Sequence, residues 1–171
     1  MNLVLIGYRG TGKSTIAREL AARLEWVWVD ADVELEARAG KSIAAIFADE
    51  GEKPFRDLES QVIADLVQRN QTIVAAGGGV ILREENRAAI RSHSKVVWLT
   101  ATVENIVRRV NADQSTAGRR PNLTTQGGEA EIRQLLSVRE PLYREMADWI
   151  VATDGKSPGE IAEEIERCVK F

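Results

Sequence analysis

Several residue types that carry common protein chemistries are scarce in this chain. Of its 171 residues, one is a cysteine and one is a histidine. The lone cysteine, Cys168, excludes an internal disulfide and fits a reducing compartment. The lone histidine, His93, excludes a histidine-rich zinc site, and the sequence contains no G-x-S-x-G motif of a serine hydrolase. These absences remove several classes of catalytic site.

Long apolar runs and an excess of basic charge are missing too. No apolar stretch approaches the roughly 18 residues of a membrane span, and the first residues carry no signal-peptide pattern. The formal net charge is -3 without a long basic face, which argues against nucleic-acid binding. We therefore expect a cytoplasmic, monomeric protein that binds neither membranes nor nucleic acid.

The most informative motif is a glycine-rich segment directly after the apolar run Leu3–Ile6. Gly7 to Ser14 match G-x-x-x-x-G-K-[ST] at every fixed position. Glycines let backbone N–H groups turn towards phosphate oxygens, and the following helix adds the positive end of its dipole. Lys13 supplies a mobile cation, and Ser14 offers a hydroxyl to Mg²⁺. The motif predicts nucleoside triphosphate binding, and the nucleotide-binding residues that we expect here are Gly10, Thr11, Gly12, Lys13, Ser14 and Thr15.

Short β-branched runs alternate with longer helical patterns, which is typical of a parallel sheet with crossover helices. The predicted strands are Leu3–Ile6, Trp26–Val29, Thr72–Ala76, Lys95–Thr100 and Trp149–Ala152. The predicted helices are Ser14–Leu24, Ala31–Ala39, Ser42–Asp49, Pro54–Arg69, Arg83–Ser92, Val103–Val110, Glu129–Ala147 and Ser157–Val169. The simplest interpretation is one domain over residues 1–171, a three-layer α/β/α unit with a five-stranded parallel sheet.

A polar stretch at residues 111–128 interrupts this alternation. It lacks periodicity, is long for a loop, and contains Arg119 and Arg120 side by side before Pro121. Long loops of this kind are usually functional lids or disordered segments. We interpret residues 111–128 as a mobile lid.

Two carboxylates and a run of glycines follow predicted strands. Asp30 and Asp32 stand at the end of the second strand, where open parallel sheets bind ligands. If the extended conformation continues, a spacing of two directs both side chains to one side, for magnesium binding and proton acceptance. In the alternative, Asp30 caps the next helix and Asp32 interacts with its dipole. The glycines at 77–79 permit close approach of the backbone to a substrate, or else form a flexible turn.

Five segments in this order narrow the choice among P-loop proteins, and the absence of an N-K-x-D motif argues against a GTPase. They are Gly7–Thr15, Asp30–Asp32, Gly51–Glu59, Ala76–Gly79 and Arg139–Tyr143. The chain resembles the shikimate kinases, a family within the nucleoside-monophosphate-kinase-like P-loop proteins, over nearly its whole length. The resemblance implies ATP-dependent phosphorylation of shikimate to shikimate 3-phosphate in aromatic amino-acid (chorismate) biosynthesis. ATP would be the co-substrate and Mg²⁺ the cofactor.

The resemblance also implies roles for single residues in binding the acceptor. Arg56 and Arg139 match arginines that bind the shikimate carboxylate, and Gly78 and Gly79 match backbone that approaches shikimate. Asp32 matches the carboxylate that holds ring hydroxyls and stands where a base is needed. Whether it acts as a base or only positions the acceptor is left open, since phosphoryl transfer asks little of a base. Phe47 and Phe55 match family residues that line the shikimate pocket, but ordinary core packing explains them nearly as well.

Further residues match the nucleotide and metal positions of the family. Asp30 and Ser14 match positions linked to magnesium, and Arg120 matches a catalytic lid arginine that reaches the transferring phosphate together with Lys13. The neighbouring Arg119 leaves the choice of lid arginine open. Candidates for adenine contact, by approximate position, are Arg109 and Thr153–Pro158.

The sequence leaves two other functions open. A kinase for another hydroxy acid, such as gluconate, would use the same arginines. A nucleotide-binding module without catalysis would tend to lose Lys13, Asp32 or the lid arginine, and none of these is missing. ATP turnover that depends on an added hydroxy acid would separate these functions.

Overall fold

The computed structural model describes residues 1–113 and 127–169. Within these residues, five parallel strands form one sheet in the order β2-β3-β1-β4-β5. The strands are β1 (Asn2–Ile6), β2 (Val27–Asp30), β3 (Thr72–Ala75), β4 (Ser94–Thr100) and β5 (Trp149–Ala152). Because the chain leaves β1 first towards one edge and later towards the other, a crevice forms at the carboxyl end of β1.

Helices cover both faces of this sheet. They are α1 (Lys13–Leu24), α2 (Ala31–Ala39), α3 (Ile43–Glu50), α4 (Glu52–Leu66), α5 (Glu84–His93), α6 (Val103–Ala112), α7 (Gly128–Met146) and α8 (Pro158–Val169), with a short 3-10 helix at Val80–Leu82. None of the described helices combines the length and apolar character needed to cross a membrane.

Side chains of the central strand alternate between two cores. Leu3 and Leu5 pack with α1 and α8, whereas Val4 and Ile6 pack with the helices on the opposite face. This alternation follows from the two-residue period of a strand buried on both sides. The predicted three-layer α/β/α architecture with a five-stranded parallel sheet is confirmed.

Most predicted elements differ from the observed ones by one to three residues at one or both ends, and two of these differences have identifiable reasons. The N–H of Trp26 donates to the carbonyl of Ala21 and so completes the end of α1, which leaves β2 to begin at Val27. Helix α4 ends at Leu66 instead of residue 69, because the N–H groups of Gln68 and Arg69 bond three residues back, as in a tight turn. Neither shift moves a predicted site residue off its element.

Candidate active site

Two adjoining cavities lie at the carboxyl ends of the strands. The first, the phosphate groove, is lined mainly by the glycine-rich loop after β1, the start of α2 and the end of α6. The second, the arginine pocket, is lined by Tyr8, Arg9, Asp32, Ile43, Phe47, Phe55, Arg56, Glu59, Gly77, Gly78, Gly79 and Arg139. The residues common to both linings are Arg9, Asp32 and Ile43. A molecule in the pocket would therefore meet one in the groove beside these three residues.

The glycine-rich loop has the conformation that its sequence predicts. Gly12 precedes α1 with a φ of 89°, a left-handed conformation that favours glycine. A side chain at Gly7 would collide with the carbonyl oxygen of Leu99 on β4. Lys13 is buried, and its Nζ donates to the carbonyl oxygens of Gly7 at 2.8 Å and Tyr8 at 2.9 Å. The loop thus wraps around its own lysine at the N-terminus of α1.

Asp30 joins the glycine-rich loop to the start of α2. Its Oδ2 accepts a hydrogen bond from the Ser14 hydroxyl at 2.5 Å, and its Oδ1 accepts from the N–H of Asp32 at 3.0 Å. Of the two interpretations that the sequence left open for Asp30, the structure shows the helix cap: Asp30 caps α2, which begins at Ala31 as predicted. Asp32 instead enters the junction of the two cavities from the first helical turn. A Cβ at Gly77 would lie 2.8 Å from its Oδ1.

Arg56 is held in the arginine pocket by its own helix and by the glycine turn. It is 8% exposed, and its Nη1 donates to Oε2 of Glu59 at 2.7 Å, one turn along α4. Its guanidinium also lies 4.9 Å from the ring centroid of Phe55. A Cβ at Gly79 would lie 2.5 Å from Nη1, so the absent side chain makes room for the guanidinium. Burial raises the pKa of Glu59, and the positive charge of Arg56 opposes that rise.

Arg139 reaches the same pocket from α7. It is 6% exposed and stands 5.8 Å from the ring centroid of Tyr8. Its Nε has no hydrogen-bond partner among the described residues. One turn later on α7, Tyr143 donates its hydroxyl to the carbonyl of Gly78 at 2.5 Å. Burial raises the pKa of Tyr143, which keeps this donor protonated and ties α7 to the glycine turn.

The other predicted residues fall into three groups. The rings of Phe47 and Phe55 are tilted against each other at 4.7 Å between centroids, and both residues line the pocket and pack on the core. Arg109 donates to Thr153 Oγ1 at 2.9 Å and to the Gly10 carbonyl at 3.2 Å, so the two adenine candidates meet beside the loop. Arg119, Arg120 and most of the predicted lid lie outside the described residues.

Three residues of the site received no role from the sequence. Glu59 and Tyr143 stood inside the recognised segments, where their i+3 and i+4 spacing from Arg56 and Arg139 was the available signal. Arg9 occupies a variable position of the loop motif, and no pattern identified it. Only the folded structure shows that Arg9 lines both the arginine pocket and the phosphate groove.

Comparison with known proteins identifies the family. The family model of shikimate kinase matches residues 9–170. A shikimate kinase of Rhodopirellula baltica is 46% identical over 164 residues, covering 96% of this chain and 88% of the relative. The solved shikimate kinase from Acinetobacter baumannii in complex with shikimate superposes with a TM-score of 0.92 at 35% identity, covering 99% of this chain and 92% of that one. A gluconokinase from Sinorhizobium meliloti shares the fold alone, with a TM-score of 0.56 at 13% identity, although 99% and 91% of the two chains are covered. This chain belongs to the shikimate kinase family.

Proposed function

We propose that the phosphate groove and the arginine pocket together perform the reaction of this family, ATP-dependent phosphorylation of shikimate to shikimate 3-phosphate with release of ADP. The observation that carries the proposal is the convergence of Arg56 and Arg139 on one glycine turn beside the phosphate-binding loop. Two buried guanidinium groups that line one pocket suit an anionic ligand. An adjoining triphosphate groove supplies the phosphoryl donor.

The arginine pocket has the chemistry of a hydroxy-acid site. Arginine forks bind carboxylates through paired hydrogen bonds, so Arg56 and Arg139 hold the carboxylate of shikimate. Gly78 and Gly79 bring the backbone close to the ring because they carry no side chain. Asp32 faces the junction with the groove, where it accepts hydrogen bonds from ring hydroxyls.

The phosphate groove binds ATP through the loop and the start of α1. The backbone from Gly10 to Thr15 surrounds the phosphates, and Lys13 neutralises charge on the transferring group. Arg120, or its neighbour Arg119, is the predicted lid residue that acts on the same group. Arg109 and Thr153 are the predicted adenine contacts.

Ser14 and Asp30 suit a magnesium ion. A hydroxyl and a carboxylate are the hard oxygen ligands that Mg²⁺ prefers, and their contact puts both at the mouth of the loop. Among the described residues no group of three or more acidic, histidine or cysteine side chains forms a metal cage. In the usual magnesium site, one or two protein ligands are completed by phosphates and water. The bound ion would neutralise charge on the β- and γ-phosphates.

The residues of the groove and the pocket act together in one reaction step, the transfer of the γ-phosphoryl group of ATP to shikimate. The bond between the γ-phosphorus and the bridging oxygen of ADP breaks as the 3-hydroxyl oxygen of shikimate bonds to that phosphorus. The hydroxyl proton leaves towards Asp32, or directly to solvent or phosphate if Asp32 only positions the hydroxyl. The protein contributes alignment and charge compensation, which are the main requirements of phosphoryl transfer. Cytoplasmic location and a monomeric state remain predictions.

The deciding experiment is ADP release by the purified chain with MgATP and shikimate, gluconate or no acceptor. We expect a rate that depends on shikimate, with shikimate 3-phosphate identified by phosphorus NMR. Release with gluconate alone would move the activity to another hydroxy acid. Nucleotide binding without acceptor-dependent turnover would instead indicate a binding module.

A further inference from the structure

Arg9 is a cation to which the proposed reaction assigns no role. It stands in a variable position of the glycine-rich loop, between Tyr8 and Gly10. Together with Asp32 and Ile43 it lines both the arginine pocket and the phosphate groove. At this junction the acceptor hydroxyl and the γ-phosphate must approach each other. Arg9 and Asp32 therefore bring opposite charges to the point of transfer.

The backbone of Arg9 is fixed on the side of the glycine turn. A Cβ at Gly78 would lie 3.6 Å from the nitrogen of Arg9 and 3.5 Å from the carbonyl oxygen of Gly7. The loop therefore packs directly on the turn, and the side chain of Arg9 starts from a rigid base. The positive charge of Arg9 lies near the Tyr8 hydroxyl, where it opposes the rise of the Tyr8 pKa that burial causes. The Nε of Arg9 is buried and has no hydrogen-bond partner among the described residues. A buried donor left in this state is costly in an ordinary structural position, so a functional use is indicated.

The position of Arg9 differs from that of the two carboxylate-binding arginines. Arg56 and Arg139 line the arginine pocket only, and each lies against a glycine of the turn. Arg9 comes from the loop that surrounds the phosphates, on the side where the pocket opens into the groove. A third arginine for the carboxylate would stand with Arg56 and Arg139, away from the groove.

We propose that Arg9 is a catalytic residue that binds the γ-phosphoryl group of ATP during its transfer to shikimate. Charge spreads over the equatorial oxygens of this group in the transition state, and an arginine donor is suited to them. Lys13 approaches from within the loop, and Arg9 approaches from the side of the acceptor. The loop itself thus provides an arginine for the transfer in addition to the one predicted in the lid. This inference rests on the proposed function.

The test compares Arg9→Met, which keeps an unbranched apolar stem without the charged guanidinium, with Arg9→Lys and the wild type. We expect Arg9→Met to lower kcat by about ten- to a hundredfold, the value of a hydrogen bond to a charged group, and to leave the shikimate KM within about threefold. Arg9→Lys should recover part of kcat. Arg167→Met is the matched control, because Arg167 is an exposed arginine of α8 whose side chain is 71% exposed and pairs with Glu163.

Calorimetry without acceptor gives a readout that does not depend on the identity of the substrate. Arg9→Met should bind ADP as the wild type does and bind a non-hydrolysable ATP analogue more weakly, since the two nucleotides differ by the γ-phosphate. Equal weakening of both nucleotides would make Arg9 a structural residue of the loop. A rise of the shikimate KM alone would make it an acceptor-binding residue, and no change in any quantity would make it a solvated side chain. Each of these outcomes overturns the inference, whereas failure of shikimate turnover in the wild type overturns the proposed function and leaves the nucleotide comparison valid.

Discussion

The guanidinium of Arg56 lies 2.7 Å from the carboxylate of Glu59, and both side chains are buried. The pair spans one turn of α4, and a carboxylate ligand in the pocket would meet a guanidinium already held in place. An ion pair of this kind contributes to position more than to stability, but removing one partner leaves the other charge buried and uncompensated.

Glu59→Ala is therefore expected to lower the free energy of unfolding by about 3 kcal/mol and to raise the shikimate KM by roughly tenfold. Urea denaturation and steady-state kinetics measure the two effects. Asp57→Ala is the matched control on the same helix, because the Asp57 side chain is 43% exposed and pairs with Lys53 and Arg83. Similar losses in both variants would contradict a special role for the buried pair.

Glu59 also predicts a pH dependence of stability. Burial raises its pKa above the ordinary 4.5, so the folded protein keeps this proton to a higher pH than the unfolded chain does. Protonated Glu59 therefore contributes to the free energy of unfolding. This contribution is complete at a pH below the pKa of Glu59 in the unfolded chain, and it is lost as the pH rises through the pKa in the folded protein. The melting temperature of the wild type, followed upwards from pH 4.5, should include this decline, and that of Glu59→Gln should lack it. The same slope in both proteins would disprove the assignment to Glu59.

Gly79→Ala tests the fit between the glycine turn and Arg56. The backbone at Gly79 has a φ of -96°, which alanine adopts freely, so the effect reports space and not backbone strain. The new methyl group would meet the guanidinium at 2.5 Å and displace it. We expect the shikimate KM to rise by about tenfold or more while the ATP KM changes little.

Gly159→Ala in α8 is its control, since the nearest atom to a Cβ there is 4.0 Å away. This change should leave kinetics unaltered and stabilise the helix by about 0.5–1 kcal/mol. An unchanged shikimate KM in Gly79→Ala would mean that Arg56 does not need its present position.

Asp30→Asn tests the proposed role of Asp30 in magnesium binding separately from its role as the N-cap of α2. Asparagine also caps helices well, so stability should change little, whereas the lost charge should weaken magnesium binding. We expect the magnesium concentration for half-maximal activity to rise by about tenfold, as for loss of a group that supports a metal. Asp148→Asn is the control, because Asp148 likewise accepts a backbone N–H, that of Val96, near the start of β5. A magnesium requirement that stays the same in Asp30→Asn would exclude Asp30 from the metal site.

Asp32→Asn preserves shape and removes the anionic acceptor at the junction of the two cavities. If Asp32 accepts the proton, steady-state kinetics should show kcat falling by about a hundredfold or more. A moderate fall would assign it to positioning the hydroxyl. An unaltered rate would remove it from the reaction altogether.

Much of this fold and site could be predicted because the signals are local. The glycine-rich loop needs glycine where φ is positive, as at Gly12, and a run such as Leu3–Ile6 has few alternatives to a buried strand. The five motif segments, taken in order, were also enough to indicate the resemblance to the shikimate kinases. Errors arose where neighbouring elements compete for the same backbone groups. Trp26, for example, completes α1 instead of starting β2.

The sequence by itself determined the elements, the phosphate-binding loop and the identity of the charged residues, since these depend on spacing along the chain. Only the tertiary structure decided which of those charges meet. It brings Arg56 from α4 and Arg139 from α7 to consecutive glycines after β3, and it puts Arg9 and Asp32 at the common edge of the two cavities. Such contacts depend on strand order and helix packing over many residues of separation, and no local pattern encodes them.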